Sequence, residues 1–173
     1  LHVLRQTLKA DRGLVTLGEL PVLAHHSVGI FLEKLNWPVF ADTTSGFRFG
    51  HLTQRIDLAD QLLLQDHWRK AEPEAWIHLG NQYVSKRWLQ WWQDRNSTRK
   101  IVITNHPERQ IPSQHSHWRL QMDLEALDEI LSSKEENPSR TQWLEQWKLG
   151  SQALEEQAAQ WWDKTERFGE VSI

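Results

Sequence analysis

The chain predicts an α/β domain built from repeated βα units around a mainly parallel sheet and followed by a long C-terminal amphipathic helix. Three observations carry that expectation. Five short apolar runs alternate with helix-like segments, the order that sets strands side by side with helices on the sheet faces. The length, 173 residues, suits one domain with a sizeable core and would be cramped for two. After Asn137-Pro138-Ser139, apolar residues recur at three- and four-residue steps or their sum, with no strand to follow.

Gly13 to Leu17 is the first strand, stopped by Gly18. A helix is expected from about Pro21, a favourable first-turn residue, to Leu35. Ala24, Val28, Phe31 and Leu35 fall at helical spacing and give it one face for the sheet. Trp37 to Ala41 is the second strand, and the polar loop Asp42 to Gly50 leads to a helical stretch from about Asp57 to Ala71. Trp76 to Leu79 is the third strand, with a helix from Lys86 to about Asp94. Lys100 to Thr104 is the fourth, and a His-, Pro- and Gln-rich loop carries the chain to the fifth, Arg119 to Met122. Leu124 to Leu131 is the last helix of the alternation. In the C-terminal helix Leu144, Trp147, Leu154, Ala158 and Trp161 form a stripe that must pack across the domain or against something further along a longer chain. Arg167-Phe168-Gly169-Glu170 reads as a turn out of it. The expected division is therefore 1–136 as the α/β domain and 137–173 as helix and linker toward a following domain.

Composition narrows the function. A formal net charge of -3 and a pI near 6.3 provide no basic field for nucleic acid. The absence of Cys removes disulfides, thiolate metal sites and Cys nucleophiles, and fits a reducing cytoplasm. The apolar stretch from Leu14 to Leu35 is broken by Glu19, Pro21, His25 and His26, so neither a signal peptide nor a membrane span is expected. Met122 is the one Met and the chain opens Leu1-His2-Val3, which reads as a piece of a longer protein. The 11 Trp against one Tyr read as core and interface material.

Chemistry is expected beyond the carboxyl ends of the strands, where open α/β sheets bind ligands. The segment Ala75 to Trp92 reads as strand, Gly turn and helix, with Ser85 as a good N-cap residue. Lys86 and Arg87 then occupy the first helical turn, where the macrodipole and the free N–H groups are already positive. Each cation there costs a few tenths of a kcal/mol, up to ~1. Two cations stacked on a positive helix end suit an anion, although solvated surface side chains are the other reading. Arg48, after the flexible Ser45-Gly46 pair, comes to the same edge. Lys86, Arg87 and Arg48 are thus the candidate substrate-binding residues. The first βα turn, Leu17-Gly18-Glu19-Leu20-Pro21, lacks GxGxxG and puts a carboxylate where a pyrophosphate would lie. His25-His26 and His115 with His117 lack the further ligands a metal needs, and neither a Ser/His/Asp order nor a GxSxG elbow occurs. No catalytic, cofactor-binding or metal-ligating residue is expected.

The order of several segments is similar to a known family. These are the first strand with Gly18; Leu35-Asn36-Trp37-Pro38-Val39-Phe40-Ala41-Asp42; Ser45-Gly46-Phe47-Arg48; Leu79-Gly80; and Ser85-Lys86-Arg87-Trp88-Leu89-Gln90-Trp91. Ile101-Val102-Ile103-Thr104-Asn105-His106-Pro107-Glu108-Arg109 and Phe168-Gly169-Glu170 follow in register. Together they resemble the middle domain of the SEPHCHC synthase (MenD) family, thiamine-diphosphate-dependent enzymes of menaquinone and phylloquinone biosynthesis. The resemblance runs from about Gly13 to Glu170, and the Gly80 to Trp91 run is its sharpest part.

The resemblance implies a Rossmann-like, three-layer α/β/α fold with five to six strands. It implies a parent transferase, with thiamine diphosphate and Mg²⁺ or Mn²⁺, that decarboxylates 2-oxoglutarate and adds the resulting succinyl-semialdehyde carbanion to isochorismate. The family's Lys-Arg pair faces substrate carboxylates, a role that falls here on Lys86 and Arg87. Its cofactor-activating glutamate and metal-binding Asp/Asn motif belong to flanking domains, so this segment alone should be inactive within a homo-oligomeric, cytoplasmic parent. A non-catalytic dinucleotide- or effector-binding module of a related thiamine-diphosphate enzyme is the alternative.

Overall fold

The computed structural model describes residues 2–107, 116–133 and 136–163. Five strands, β1 (Gly13–Leu17), β2 (Val39–Ala41), β3 (Ala75–Leu79), β4 (Arg99–Thr104) and β5 (Trp118–Gln121), form one sheet in the order β2-β1-β3-β4-β5. Every pairing is parallel, with Leu17 beside Ala41 and Leu79, and Leu79 beside Ile103. The sheet is covered on both faces, so its inner strands read as near-continuous apolar runs, broken by Thr16 and His78.

Side chains alternate between two cores. Val15, Leu17, Val39, Ala41, Ile77, Leu79, Ile101 and Ile103 face α1 (His2–Thr7), α2 (His25–Leu35) and a 3₁₀ segment, Leu124–Ile130. Leu14, Phe40, Trp76 and Val102 face α3 (Ala59–Leu62), α4 (Asp66–Arg69), α5 (Lys86–Asp94) and the first half of α6 (Pro138–Asp163). The expected three-layer architecture is the one found.

Several elements differ from the expectation for identifiable reasons. Residues 2–7, left unassigned from the sequence, form α1. Pro21 precedes a 3₁₀ turn, Val22–Ala24, and α2 starts only at His25. The stretch 57–71 is two single turns rather than one helix. Leu62, Leu63 and Trp68 are all buried, yet on one continuous helix Trp68 would lie roughly 140–240° around from the two leucines. An extended Gln65 between the turns brings all three inward. The segment Leu124–Ile130 is 3₁₀, not α. Its buried Leu124 and Leu127, with Ile130 against the same core, follow a three-residue period that aligns them on one 3₁₀ face.

The C-terminal helix is divided. Asn137 caps it, its Oδ1 accepting the Arg140 N–H at 3.2 Å. Leu144 and Trp147 are core residues, and the Trp143 indole donates to the Gly13 carbonyl at 2.8 Å. Further along, Leu154 is half-buried and Ala158 exposed, and Trp161 and Trp162 are each 59% exposed. The turn read at Arg167 to Glu170 lies outside the described residues, as do Glu108, Arg109 and His115.

Candidate functional site

In the order β2-β1-β3 the chain reverses direction across the sheet between β1 and β3, and the crevice beyond their carboxyl ends is where such folds receive ligands. Here backbone fills it. The Gly18 N–H donates to Leu79 O, the Asn81 N–H to Glu19 O and the Gly80 N–H to Ile103 O, each at 2.9 Å. A Cβ on Gly18 would lie 2.3 Å from Asn81 O, and one on Gly80, whose φ is +89°, would lie 2.4 Å from Glu19 O. Only glycine at both positions lets the loops approach so closely. A pyrophosphate has no room at the switch point.

The open space lies to one side, in a cleft of about 240 Å³ lined by residues that include Asp42, Arg48, Asp57, Asp60, Tyr83 and Ser85. Asp42 organises it. Its Oδ1 accepts the Thr44 N–H at 2.9 Å and the Thr44 hydroxyl at 2.8 Å, while its Oδ2 accepts the Val84 N–H at 2.9 Å. Burial pushes this carboxyl up, but the N–H bonds from Thr44 and Val84 and the threonine hydroxyls outweigh it and hold the pKa below the ordinary carboxylate value. An ionised Asp42 thereby ties the end of β2 to the loop that opens α5.

That helix begins as its sequence predicts. Ser85 Oγ accepts the Trp88 N–H at 3.2 Å, placing Lys86 and Arg87, both exposed, in the first turn. The Ser85 hydroxyl also donates to Asp60 Oδ1 at 2.7 Å, and the Arg87 Nη1 donates to the Asp60 carbonyl at 3.1 Å. An internal carboxylate therefore already complements the helix end. Arg48 lines the cleft; Lys86 and Arg87 lie on α5 directly after the lining residue Ser85. The Ser45-Gly46 pair, expected to be flexible, is a closed turn: Ser45 is buried, its hydroxyl donating to Asp42 O at 2.6 Å and accepting the Phe47 N–H at 3.1 Å.

Behind the cleft lies a buried relay. Trp76 Nε1 donates to Thr16 Oγ1 at 3.2 Å, Thr16 Oγ1 is 3.1 Å from His78 Nδ1, and His78 Nε2 is 2.5 Å from Asn81 O. Asn81 O can only accept, so Nε2 carries the proton; desolvation keeps the ring neutral, and the Thr16 hydroxyl donates to Nδ1. Burial drives the His78 pKa down to about 4, against the opposing pull of the Asn81 carbonyl and the Asp42 charge. Burial, with the Asp60 and Asp42 charges, raises that of Tyr83, with Arg48 opposing.

Asp42, Asp60, His78 and Tyr83 were not singled out from the sequence. Asp42-Thr43-Thr44 at a strand end is a capping signal that marks the local turn, but nothing local shows its reach to Val84. Among the described residues no group of three or more His, Cys, Asp or Glu is placed to hold a metal ion. His117 Nδ1 instead accepts the Lys100 N–H at 3.1 Å, and the half-buried His25 ring packs on Phe47. Among the described residues no helix is long and apolar enough to cross a membrane.

A family model described as "Middle domain of thiamine pyrophosphate" matches residues 2–173. The chain belongs to this family. As a thiamine pyrophosphate middle domain it is similar to proteins named 2-succinyl-5-enolpyruvyl-6-hydroxy-3-cyclohexene-1-carboxylate synthase, or SEPHCHC synthase. One from Synechococcus elongatus is 27% identical over 68% of this chain and 21% of its own length. One from Salinibacter ruber is 26% identical over 89% of this chain and 27% of its own length. One from Serratia proteamaculans is 24% identical over 95% of this chain and 28% of its own length. The resemblance read from the residues is borne out, and the thiamine pyrophosphate middle domain spans only about a quarter of the length of these relatives.

Proposed function

We propose that this is the central domain of a SEPHCHC synthase. The full-length parent, a cytoplasmic homo-oligomer, joins the four-carbon unit left by decarboxylation of 2-oxoglutarate to isochorismate. Flanking domains of the same chain hold thiamine diphosphate and Mg²⁺ or Mn²⁺, and residues 137–173 lead toward the following one. The residues of this domain do not suit the cofactor: backbone fills the switch-point crevice where a diphosphate would lie. That closure also stands against a dinucleotide at the usual position, the alternative reading. By itself the domain is catalytically inert.

Its contribution is positive charge at the carboxyl edge of the sheet, from Lys86, Arg87 and Arg48. The observation that carries this reading is that none of the three belongs to an ion pair among the described residues, although two stand on the positive end of a helix. A substrate carboxylate there gains the side-chain charges and relieves their mutual repulsion. Arg87 can grip it with two parallel bonds while Lys86 acts as a point charge, so the two are not interchangeable.

The test is Lys86→Ala and Arg87→Ala in the full-length parent. Loss of one charge-assisted bond of ~1.5 to 3 kcal/mol lowers kcat/KM for isochorismate about 10- to 150-fold. Thermal stability hardly changes, because both side chains are exposed and oppose the helix dipole. Unchanged kinetics would reduce the pair to solvated surface charge.

A further inference from the structure

The opposite, amino edge of the sheet holds a second concavity, of about 310 Å³, where the ends of α1 and α2 that lead into β1 and β2 meet the start of α6. Four cations line it, Arg5, Lys9, Lys34 and Arg140, together with the hydroxyls of Ser132 and Ser133 over an apolar floor. Among the described residues no carboxylate lines it and none of the four cations forms an ion pair.

Arg140 is the decisive member. It is 3% exposed, and its partners among the described residues are neutral: Nε donates to Ala10 O at 3.0 Å, Nη2 donates to Leu8 O, and the guanidinium lies 5.8 Å from the centre of the Trp37 ring. A buried guanidinium without a counter-charge is costly, because carbonyl dipoles replace only part of its lost hydration. Lys34 is held similarly, by Asp128 O at 2.9 Å and Leu131 O at 2.7 Å. The Asp128 carboxylate, whose charge Lys34 feels, accepts from the Ser27 hydroxyl at 2.7 Å and is outside ion-pair distance of the lysine.

We propose that this pocket binds a small phosphate-bearing dianion. The four cations and two serines come from four segments of chain, so positive charge and polar residues border the space from several sides. A tetrahedral phosphate presents acceptor oxygens in all those directions, whereas a planar carboxylate presents two. The dianion supplies the charge that Arg140 lacks. The pocket lies at the far end of the sheet from Lys86 and Arg87, so it is separate from the proposed substrate edge.

The experiment is calorimetric titration of the intact protein with inorganic phosphate at constant ionic strength, with chloride as the balancing anion. One saturable site is expected. Because Arg140 also holds the Leu8 and Ala10 carbonyls, the exposed pair is varied instead: Arg5→Gln with Lys9→Gln weakens phosphate at least tenfold with an unchanged melting temperature. Lys70→Gln, an exposed cation elsewhere, leaves the affinity as it was. Phenyl phosphate tighter than phosphate identifies a monoester as the source of the group, and equal affinity identifies the free ion. Absence of saturable binding would overturn the proposal. So would wild-type affinity in the double variant, an equal loss in Lys70→Gln, or tighter binding of succinate than of phosphate.

Discussion

The two faces of the sheet solve the same packing problem with different materials. On the α1/α2 face the strands contribute only aliphatic side chains, and Trp37 is the one indole in that core. On the other face Trp68, Trp76, Trp88, Trp91, Trp92 and Trp147 make up most of the volume, with the Trp76 ring 4.6 Å from Trp91 and 4.9 Å from Trp92. Indoles fill space in large units but carry an N–H that needs an acceptor. Polar groups accordingly enter this face: Thr16 accepts from Trp76, the Arg69 carbonyl from Trp91 at 2.9 Å, and buried Lys100 donates to the Trp92 carbonyl beneath its ring. Among the described residues the Trp88, Trp92 and Trp147 N–H groups find no partner. On the aliphatic face the liability is confined to Trp37, whose buried N–H also lacks a partner among the described residues. It is the indole face that adjoins the cleft, through His78, Tyr83 and Trp88.

The contrast is testable, most strongly on β3, whose neighbouring residues point to opposite faces. Trp76→Ala removes a central ring and the Thr16 bond and should cost about 3–5 kcal/mol, against about 0.5–1.5 kcal/mol for Ile77→Val beside it. Urea unfolding measures both, and equal losses would mean that the indole cluster adds nothing beyond ordinary packing.

Acid should separate the faces next. The native His78 pKa is pushed down to about 4 while the unfolded value is 6.5. Between these values the unfolded state binds a proton that the native state refuses. Stability is therefore whole above about pH 6.5 and declines as pH falls to about 4, by about 3 kcal/mol in all. His78→Gln can accept from Thr16 and donate to Asn81 without titrating, so its unfolding free energy should show a flatter slope over that window.

A smaller effect is expected at the helix start that the indole face carries. Ser85→Ala loses the cap on Trp88 N–H and the hydroxyl given to Asp60, a cost of about 0.5–2 kcal/mol in thermal or urea melts. Smallest of all should be Trp161→Ser with Trp162→Ser. These rings lie on the exposed half of α6, and their joint loss should stay within about 0.5 kcal/mol. A larger change would place them in a core.

Legibility followed the range of the interaction. The Ser85 cap and its two cations span a few residues, so the sequence carries them whole, as it carries the five strands through their apolar runs. The helix at 57–71 was misjudged because its two turns break to bury Trp68 beside Leu62 and Leu63, a demand made by the core and not by local propensity. The 3₁₀ segment at Leu124 was misjudged because a three-residue apolar period also fits a short α-helix.

What the sequence by itself determined is the alternation of β and α, the largely apolar strands of a sheet covered on both faces, and a helix that opens with cations. Each rests on residues within one or two turns of one another. Tertiary structure alone decided that backbone closes the crevice between β1 and β3, through glycines 62 positions apart at Gly18 and Gly80. It also decided that Asp42 reaches Val84, that Asp60 reaches Ser85, and that four scattered cations meet at Arg140. These contacts pair residues that have no local reason to meet. They arise once burial of the two cores has fixed the strand order, and only then do electrostatics and hydrogen bonding have neighbours to act upon.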